Sequence, residues 1–331
     1  MGNTSDALPG GHPSGITIAF GSAPLSDRLG GVTVQTSVAV TQFARPADRQ
    51  IPDALVEVVR LCDARGIDSV FLSDHLVQGI EPGTDPADPM LEVFTALGFL
   101  AAHTERVRLG VLVAAVTMRP PALLVKAVTS LDVLSGGRAW FGVGAGYQLQ
   151  EGDDFGVPLP PTVERFEWLT DTLELAHQMW AGDTSPYEGR RLHAARPVGS
   201  PLPTSRPHPP VLIGGTGEAK TLRLVARYGD ACNLFDVDDG GAEISHKLSV
   251  LARHCEVEGR AFDAITKTVS TRLRADDTAD AFVARARALG EAGIDHLIVL
   301  TEGPWTVDRI AVLADAADEI AAGPRPRTHA H

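Results

Sequence analysis

Cysteine is scarce in this 331-residue chain: Cys62, Cys232 and Cys255 are too few and too scattered for a disulfide framework or a zinc site. A reducing compartment is the simplest reading. Positive charge is also in deficit, with 29 Lys and Arg against 42 Asp and Glu and a formal net charge of −13. A nucleic-acid binder needs a basic face to neutralise phosphates, so that class is excluded, and an anionic membrane surface is disfavoured. Long apolar runs are missing, none approaching the ~18 residues of a spanning helix. The first basic residue is Arg28, and the early run Ile16 to Phe20 is too short for a signal-peptide core, which points to a cytoplasmic protein. No His-x-His or Cys pair accompanies His75, the histidine at a strand end, so no metal is expected. No Gly-x-Gly-x-x-Gly lies between Val40 and Ile51, which argues against a doubly wound dinucleotide-binding sheet.

What is present is an alternation. Residues 1–31 hold seven glycines and three prolines and read as a flexible leader, with Gly15 to Ala23 a candidate short strand; 323–331 read as a loose tail. Between them, near-continuous apolar runs predict strands at Val32–Val40, Ser69–Leu72, Val107–Val113, Arg138–Val143, Val211–Ile213, Ala231–Leu234, Ile265–Leu273 and His296–Leu300. Amphipathic segments predict a helix after each. Pro52 opens the first, which carries Leu55, Val58, Val59 and Cys62 on one face. The others are Leu91–His103, Pro121–Leu134, Val163–Trp180, Glu218–Tyr228, Ala242–Glu258, Asp280–Ala292 and Val307–Ala321. Residues 181–209, rich in Pro and Gly, break the rhythm and read as an insertion loop or hairpin after the fourth βα unit, over one barrel end. Apolar strands alternating with helices imply a parallel sheet covered by helices, and eight such units point to one α/β domain over 32–322, a (β/α)8 TIM barrel.

Such a barrel gathers chemistry at the C-terminal ends of its strands. After the second strand stand Asp74 and His75, where an imidazole can exchange a proton near neutrality; the bland alternative is that Asp74 caps a helix and His75 only packs. After the third comes Thr117-Met118-Arg119-Pro120, with Arg119 read as structural. After the fourth, Gly142-x-Gly144-x-Gly146 either lets the backbone approach something flat or forms a tight turn. Its continuation, Ala145 and Tyr147, belongs to a loop rich in Gly and Asp that also holds Glu151. After the fifth, Gly214-Gly215-Thr216-Gly217 suits an anion at a helix N-terminus or is a tight βα turn. Asn233 sits near the end of the sixth. The segments 77–90, 147–161 and 181–209 are expected to shape a substrate pocket, the first stiffened by Pro82, Pro86 and Pro89.

Four segments in order carry a resemblance: GIDSVFLSDHL at 66–76, VRLGVLVAAVTMRPPALLVKAVTSLDVLSGGRAWFGVGAGY at 107–147, ERFEWLTDTLELAHQMW at 164–180 and PPVLIGGTGEAKTLRLVARYGDACN at 209–233. Together they resemble the luciferase-like superfamily of flavin and deazaflavin oxidoreductases, closest to its branch using the deazaflavin coenzyme F420. The resemblance implies a cofactor at the barrel mouth, touching Asp74, His75, Val113, Ala114, Ala115, Gly144, Ala145 and Gly146. It implies a cofactor phosphate on Gly214, Gly215, Thr216 and Gly217, and a non-prolyl cis peptide within Leu112 to Ala115. His75 would serve in proton transfer beside the reactive carbon, and Tyr147 as a hydrogen-bond donor. Sugar-phosphate dehydrogenases of the family carry Glu where Tyr147 stands, which puts that activity in doubt.

The expectation is therefore an F420-dependent hydride transfer to or from a small-molecule C=C, C=N or C=O compound. The alternatives are an FMN-dependent monooxygenase and a non-catalytic cofactor- or partner-binding barrel. Relatives are commonly dimers, so a homodimer is implied.

Overall fold

A β-branched run next to an amphipathic run can bury both only by folding the helix back over the strand, and the chain repeats that step around a closed ring. A computed structural model describes residues 34–43, 50–78, 84–237 and 239–322. The expected leader, its candidate strand at Gly15 to Ala23, the tail at 323–331 and Pro82 lie outside the described residues.

In chain order the elements begin β1 (Gln35–Val40), α1 (Ile51–Ala64), β2 (Ser69–Leu72), α2 (Val93–Ala101), β3 (Arg108–Val111), β4 (Ala114–Ala115), α3 (Pro121–Leu134) and β5 (Ala139–Gly144). Next come α4 (Leu149–Phe155), α5 (Thr162–Trp180), β6 (Tyr187–Glu188), β7 (His193–Ala194), β8 (Val211–Gly214) and α6 (Thr221–Tyr228). The last are β9 (Ala231–Phe235), α7 (Ala242–Glu258), β10 (Thr266–Leu273), α8 (Ala279–Glu291), β11 (His296–Thr301) and α9 (Val307–Ala322). All ladders of the main sheet are parallel, in the order β3-β2-β1-β11-β10-β9-β8-β5, and a β3–β5 pairing closes the ring. This is the expected (β/α)8 barrel, with β3 and β4 forming one interrupted strand. Among the described residues no helix is long and apolar enough to cross a membrane.

Alternation sorts the side chains. Ala39, Phe71, Trp140, Leu212, Ala231 and Ile298 point inward and fill the barrel. Their neighbours Val38, Val40, Val70 and Leu72 point outward into the larger core under the helices. α1 carries Pro52 in its first turn, buries Leu55, Val58, Val59 and Cys62, and stops before Gly66, which holds φ 73°. The stretch after α3 is held by Arg138, whose guanidinium donates to the carbonyls of Ala101, Thr104 and Val107.

The structure corrects four expectations. The strand expected over Val107–Val113 breaks after Val111, with a cis peptide at Leu112–Val113, and resumes as β4. Glycines make room for this bulge. A Cβ on Gly142 would lie 1.8 Å from the Val111 carbonyl oxygen, and those on Gly144 and Gly214 would lie 2.9 and 2.8 Å from Val113 methyl groups. The Gly- and Asp-rich segment expected as loop contains α4, seven residues too short and polar to show a hydrophobic period, ended by Gly156 at φ 67°. Residues 218–220 form a turn, so α6 starts at Thr221 rather than Glu218. The insertion takes the hairpin form, one of the two expected, as β6–β7, but where it is expected over one barrel end it is tied to helices on the barrel's flank. Asp171 on α5 accepts from the backbone N–H groups of Arg190, Arg191 and Leu192, and Asp132 on α3 accepts from the backbone and hydroxyl of Ser205.

Candidate active site

The C-terminal ends of the strands open into a cavity of about 740 Å³. That falls within the ~300–1,000 Å³ of small-molecule and cofactor sites. One wall is the bulge, through Leu112, Val113 and Ala115; Gly144, Ala145, Gly146 and Gly214 continue it. The room here exists because side chains are missing. A Cβ on Gly146, at φ 75°, would lie 3.2 Å from that of Ala115. The turn after β8 lines the same cavity, and Gly215 holds φ 113°, a conformation that costs a Cβ-bearing residue strain. The wall therefore offers backbone and small apolar groups to a flat ring, with a glycine turn at one end for an anion, and these features fit a flavin- or deazaflavin-type cofactor.

The same cavity holds titratable groups. His75 Nδ1 lies 3.0 Å from Glu151 Oε2, and the hydroxyl of Tyr147 lies 3.4 Å from His75 Nε2. The two rings meet edge to face at 6.0 Å between centroids. Glu151 is visible in the sequence after the fourth strand but has no role assigned to it there. It is 3% exposed, and its other oxygen accepts the backbone N–H of Leu76. Burial alone would raise its carboxyl, but His75 and the backbone N–H groups of Leu76 and Val77 hold it below the ordinary carboxylate range. Its sequence signal was a lone acid four residues past Tyr147, and only the turn of α4 carries it back to the end of β2.

Asp74 neither caps a helix nor points freely at a ligand. It is 5% exposed and accepts from Arg119 Nη1 at 2.8 Å and from the Ala115 N–H at 3.3 Å. Burial raises its carboxyl and outweighs the opposing pull of Arg119. Arg119 also donates to Glu92, the N-cap of α2, and lies over the Phe94 ring. Asp74 thus ties the bulge strand to α2, in keeping with a structural Arg119. Arg165 on α5 donates to the Gly146 carbonyl and so fixes the turn that presents Tyr147.

Of the expected site residues, Asp74, His75, Val113, Ala115, Gly144, Ala145, Gly146, Tyr147, Gly214, Gly215, Thr216 and Gly217 all line the cavity. Ala114 does not: it is fully buried in the outer core, because the pleat turns it away from the mouth. Residues 181–209 contribute nothing to the lining either, which corrects the expectation that the insertion shapes the pocket. Segments 77–90 and 147–161 do contribute, through Val77, Gln78 and Met90 and through Gln148, Val157 and Leu159. Asn233 lines the inner end and donates to the Ser270 hydroxyl.

Comparison with known proteins places these features in company. The luciferase-like monooxygenase family matches residues 33–327. An F420-dependent glucose-6-phosphate dehydrogenase of Kineococcus radiotolerans is 30% identical over 244 residues, covering 71% of this chain and 68% of that protein. The protein of that name from Microbacterium testaceum is 33% identical over 180 residues, covering 54% and 51%. Among solved structures, an F420-dependent secondary alcohol dehydrogenase in complex with an F420–acetone adduct superposes with a TM-score of 0.73 at 15% identity, covering 86% of this chain and 98% of that one. The FMN complex of the oxygenating constituent of 3,6-diketocamphane monooxygenase from Pseudomonas putida gives 0.67 at 16%, covering 88% and 98%. At such identities the structures share the fold.

Proposed function

The chain belongs to the luciferase-like monooxygenase family, and we propose that it is an F420-dependent oxidoreductase acting on a small organic substrate. When bound, the deazaflavin supplies hydride exchange at a ring carbon that reacts poorly with oxygen. The carrying observation is the juxtaposition, in one cavity, of a glycine-lined backbone bulge with an imidazole seated on a buried carboxylate. The relatives named for F420 support the choice of cofactor.

Val113, Ala115 and Gly144 would hold the ring, and the turn from Gly214 to Gly217 would take its phosphate. His75 exchanges the proton that accompanies hydride movement, at Nε2. Tyr147 is 67% exposed, at the rim, where its hydroxyl donates to His75 or to the substrate. Val77, Met90, Val157 and Leu159 line the cavity with apolar surface that helps keep water from the reacting centre. The enzyme works as a homodimer in the cytoplasm, and sedimentation of the purified protein checks the first.

Tryptophan-fluorescence titration tests the cofactor. Trp140 lies in β5 and Trp168 in α5, two elements that also carry the cavity-lining residues Gly144 and Phe166. The expected result, after correction for absorption, is micromolar binding of F420 and much weaker binding of FMN. The reverse preference makes the chain an FMN monooxygenase, and binding of neither makes it a non-catalytic barrel.

A further inference from the structure

We propose that Glu151 is a positioning residue that locks the His75 ring in its Nδ1–H form, leaving Nε2 at the cavity as a proton acceptor. The catalytic consequence rests on the function proposed above, whereas the locked ring does not.

The donors and acceptors around the ring decide where its hydrogen sits. An ionised carboxylate only accepts. One Glu151 oxygen is taken by the Leu76 N–H, a group that only donates, and the Val77 N–H also bonds this carboxylate. The other oxygen faces His75 Nδ1 at 3.0 Å, so the hydrogen of a neutral ring must sit on Nδ1. At 3% exposure, Glu151 has little room for a water to reverse this. Nε2 is then bare, and the Tyr147 hydroxyl 3.4 Å away donates to it at rest. A substrate hydroxyl that displaces Tyr147 passes its proton to Nε2: the O–H bond breaks, an N–H bond forms, and the resulting imidazolium keeps Nδ1–H against the Glu151 carboxylate. The pair thus supplies an acid partner for His75 in a chain that carries Tyr at position 147, the place of the familiar acid.

Glu151→Gln makes the opposite prediction. An amide has one carbonyl oxygen. The Leu76 N–H claims it, the NH2 group turns to Nδ1, and the ring must move its hydrogen to Nε2. The test is long-range proton–nitrogen correlation on the full chain labelled with 15N-histidine, at about pH 8.5 where an ordinary imidazole is neutral; His75→Gln identifies the signals. The wild type should show Nδ1–H and Glu151→Gln should show Nε2–H. Turnover in the variant should fall about 100-fold, at the low end for a proton-transfer group, with F420 affinity changed less than about threefold. An Nε2–H ring in the wild type overturns the proposal by itself, whether or not the variant folds. So does an unchanged ring with unchanged turnover in Glu151→Gln. A chain that binds no F420 yet shows both ring forms as stated supports the positioning and overturns only the cofactor reading.

Discussion

His75 sits between two oxygens of unlike character, a buried carboxylate on Nδ1 and an exposed phenol on Nε2. A ring so held acts on the chemical step more than on cofactor binding. His75→Ala should therefore lower kcat by about 10²–10⁴ while the F420 dissociation constant stays within about tenfold; steady-state kinetics beside a binding titration separates the two. Gly215 makes the opposite case. At φ 113°, with Thr221 atoms 3.5 Å from where a Cβ would stand, it shapes the anion-binding turn and touches no proton. Gly215→Val forces that turn out of shape at a cost of about 1–3 kcal/mol. F420 affinity should fall about tenfold or more with the turnover of saturated enzyme much less changed, and an unaltered dissociation constant would remove the turn from the cofactor site.

At the scale of elements, the interrupted strand from β3 to β4 dictates its neighbours. Its bulge thrusts the Val111 carbonyl and the Val113 side chain at β5 and β8, which answer with glycine at positions 142, 144 and 214. Gly142→Ala places a methyl group against a backbone carbonyl that has nowhere to go. It should destabilise by about 3 kcal/mol or more, the top of the usual overpacking range. Gly98→Ala in α2 is the matched control, because nothing lies within 4 Å of the added carbon. Relief of helix-glycine entropy there should stabilise by about 0.5–1 kcal/mol. Urea unfolding of both variants reads the contrast, and equal midpoints would contradict the glycine argument. The same elements show how far the sequence can be read. The helices and strands were legible because their apolar period is local. The break at Leu112–Val113 has no such local period, because nothing in the run VRLGVLVAA departs from an ordinary buried strand; only the family resemblance places a cis peptide within Leu112 to Ala115, and it is found there.

Across the whole molecule, the barrel is apolar in the middle and polar at the end away from the cavity. There His296, 1% exposed, meets the Ser37 hydroxyl at 2.6 Å, Trp140 donates to Ser69, and Ser69 donates to Asp68. Burial depresses the His296 imidazole below its ordinary value, and Arg108 pushes the same way, against Asp68 and Asp295. His177 beneath the insertion is depressed too, by burial and by His208. An unfolded chain protonates these rings near the ordinary ~6.5, and the folded chain only at lower pH. Below about pH 6.5 the unfolded state therefore holds more protons, and stability drains away as pH falls. Denaturant unfolding at about pH 7.5 and 5.5 should show that loss, and a smaller loss in His296→Gln; identical losses would exonerate His296.

Sequence alone determined the barrel, its eightfold order and the place of the insertion in the chain, because hydrophobic alternation and helix stops are local and survive without coordinates. It also marked His75 and the turn at 214–217, because a barrel sends every strand end to one face. Tertiary structure decided what those residues do. Glu151 reaches His75 across 76 positions of chain through a helix too short to carry a period. Asp74 is spent on Arg119 and the bulge. The Pro-rich insertion rests on α5 and α3 and leaves the cavity to other loops. In each case the deciding contact joins a side chain to a group distant in sequence, and such pairing leaves no periodic trace along the chain, because it is set by where folded backbones meet.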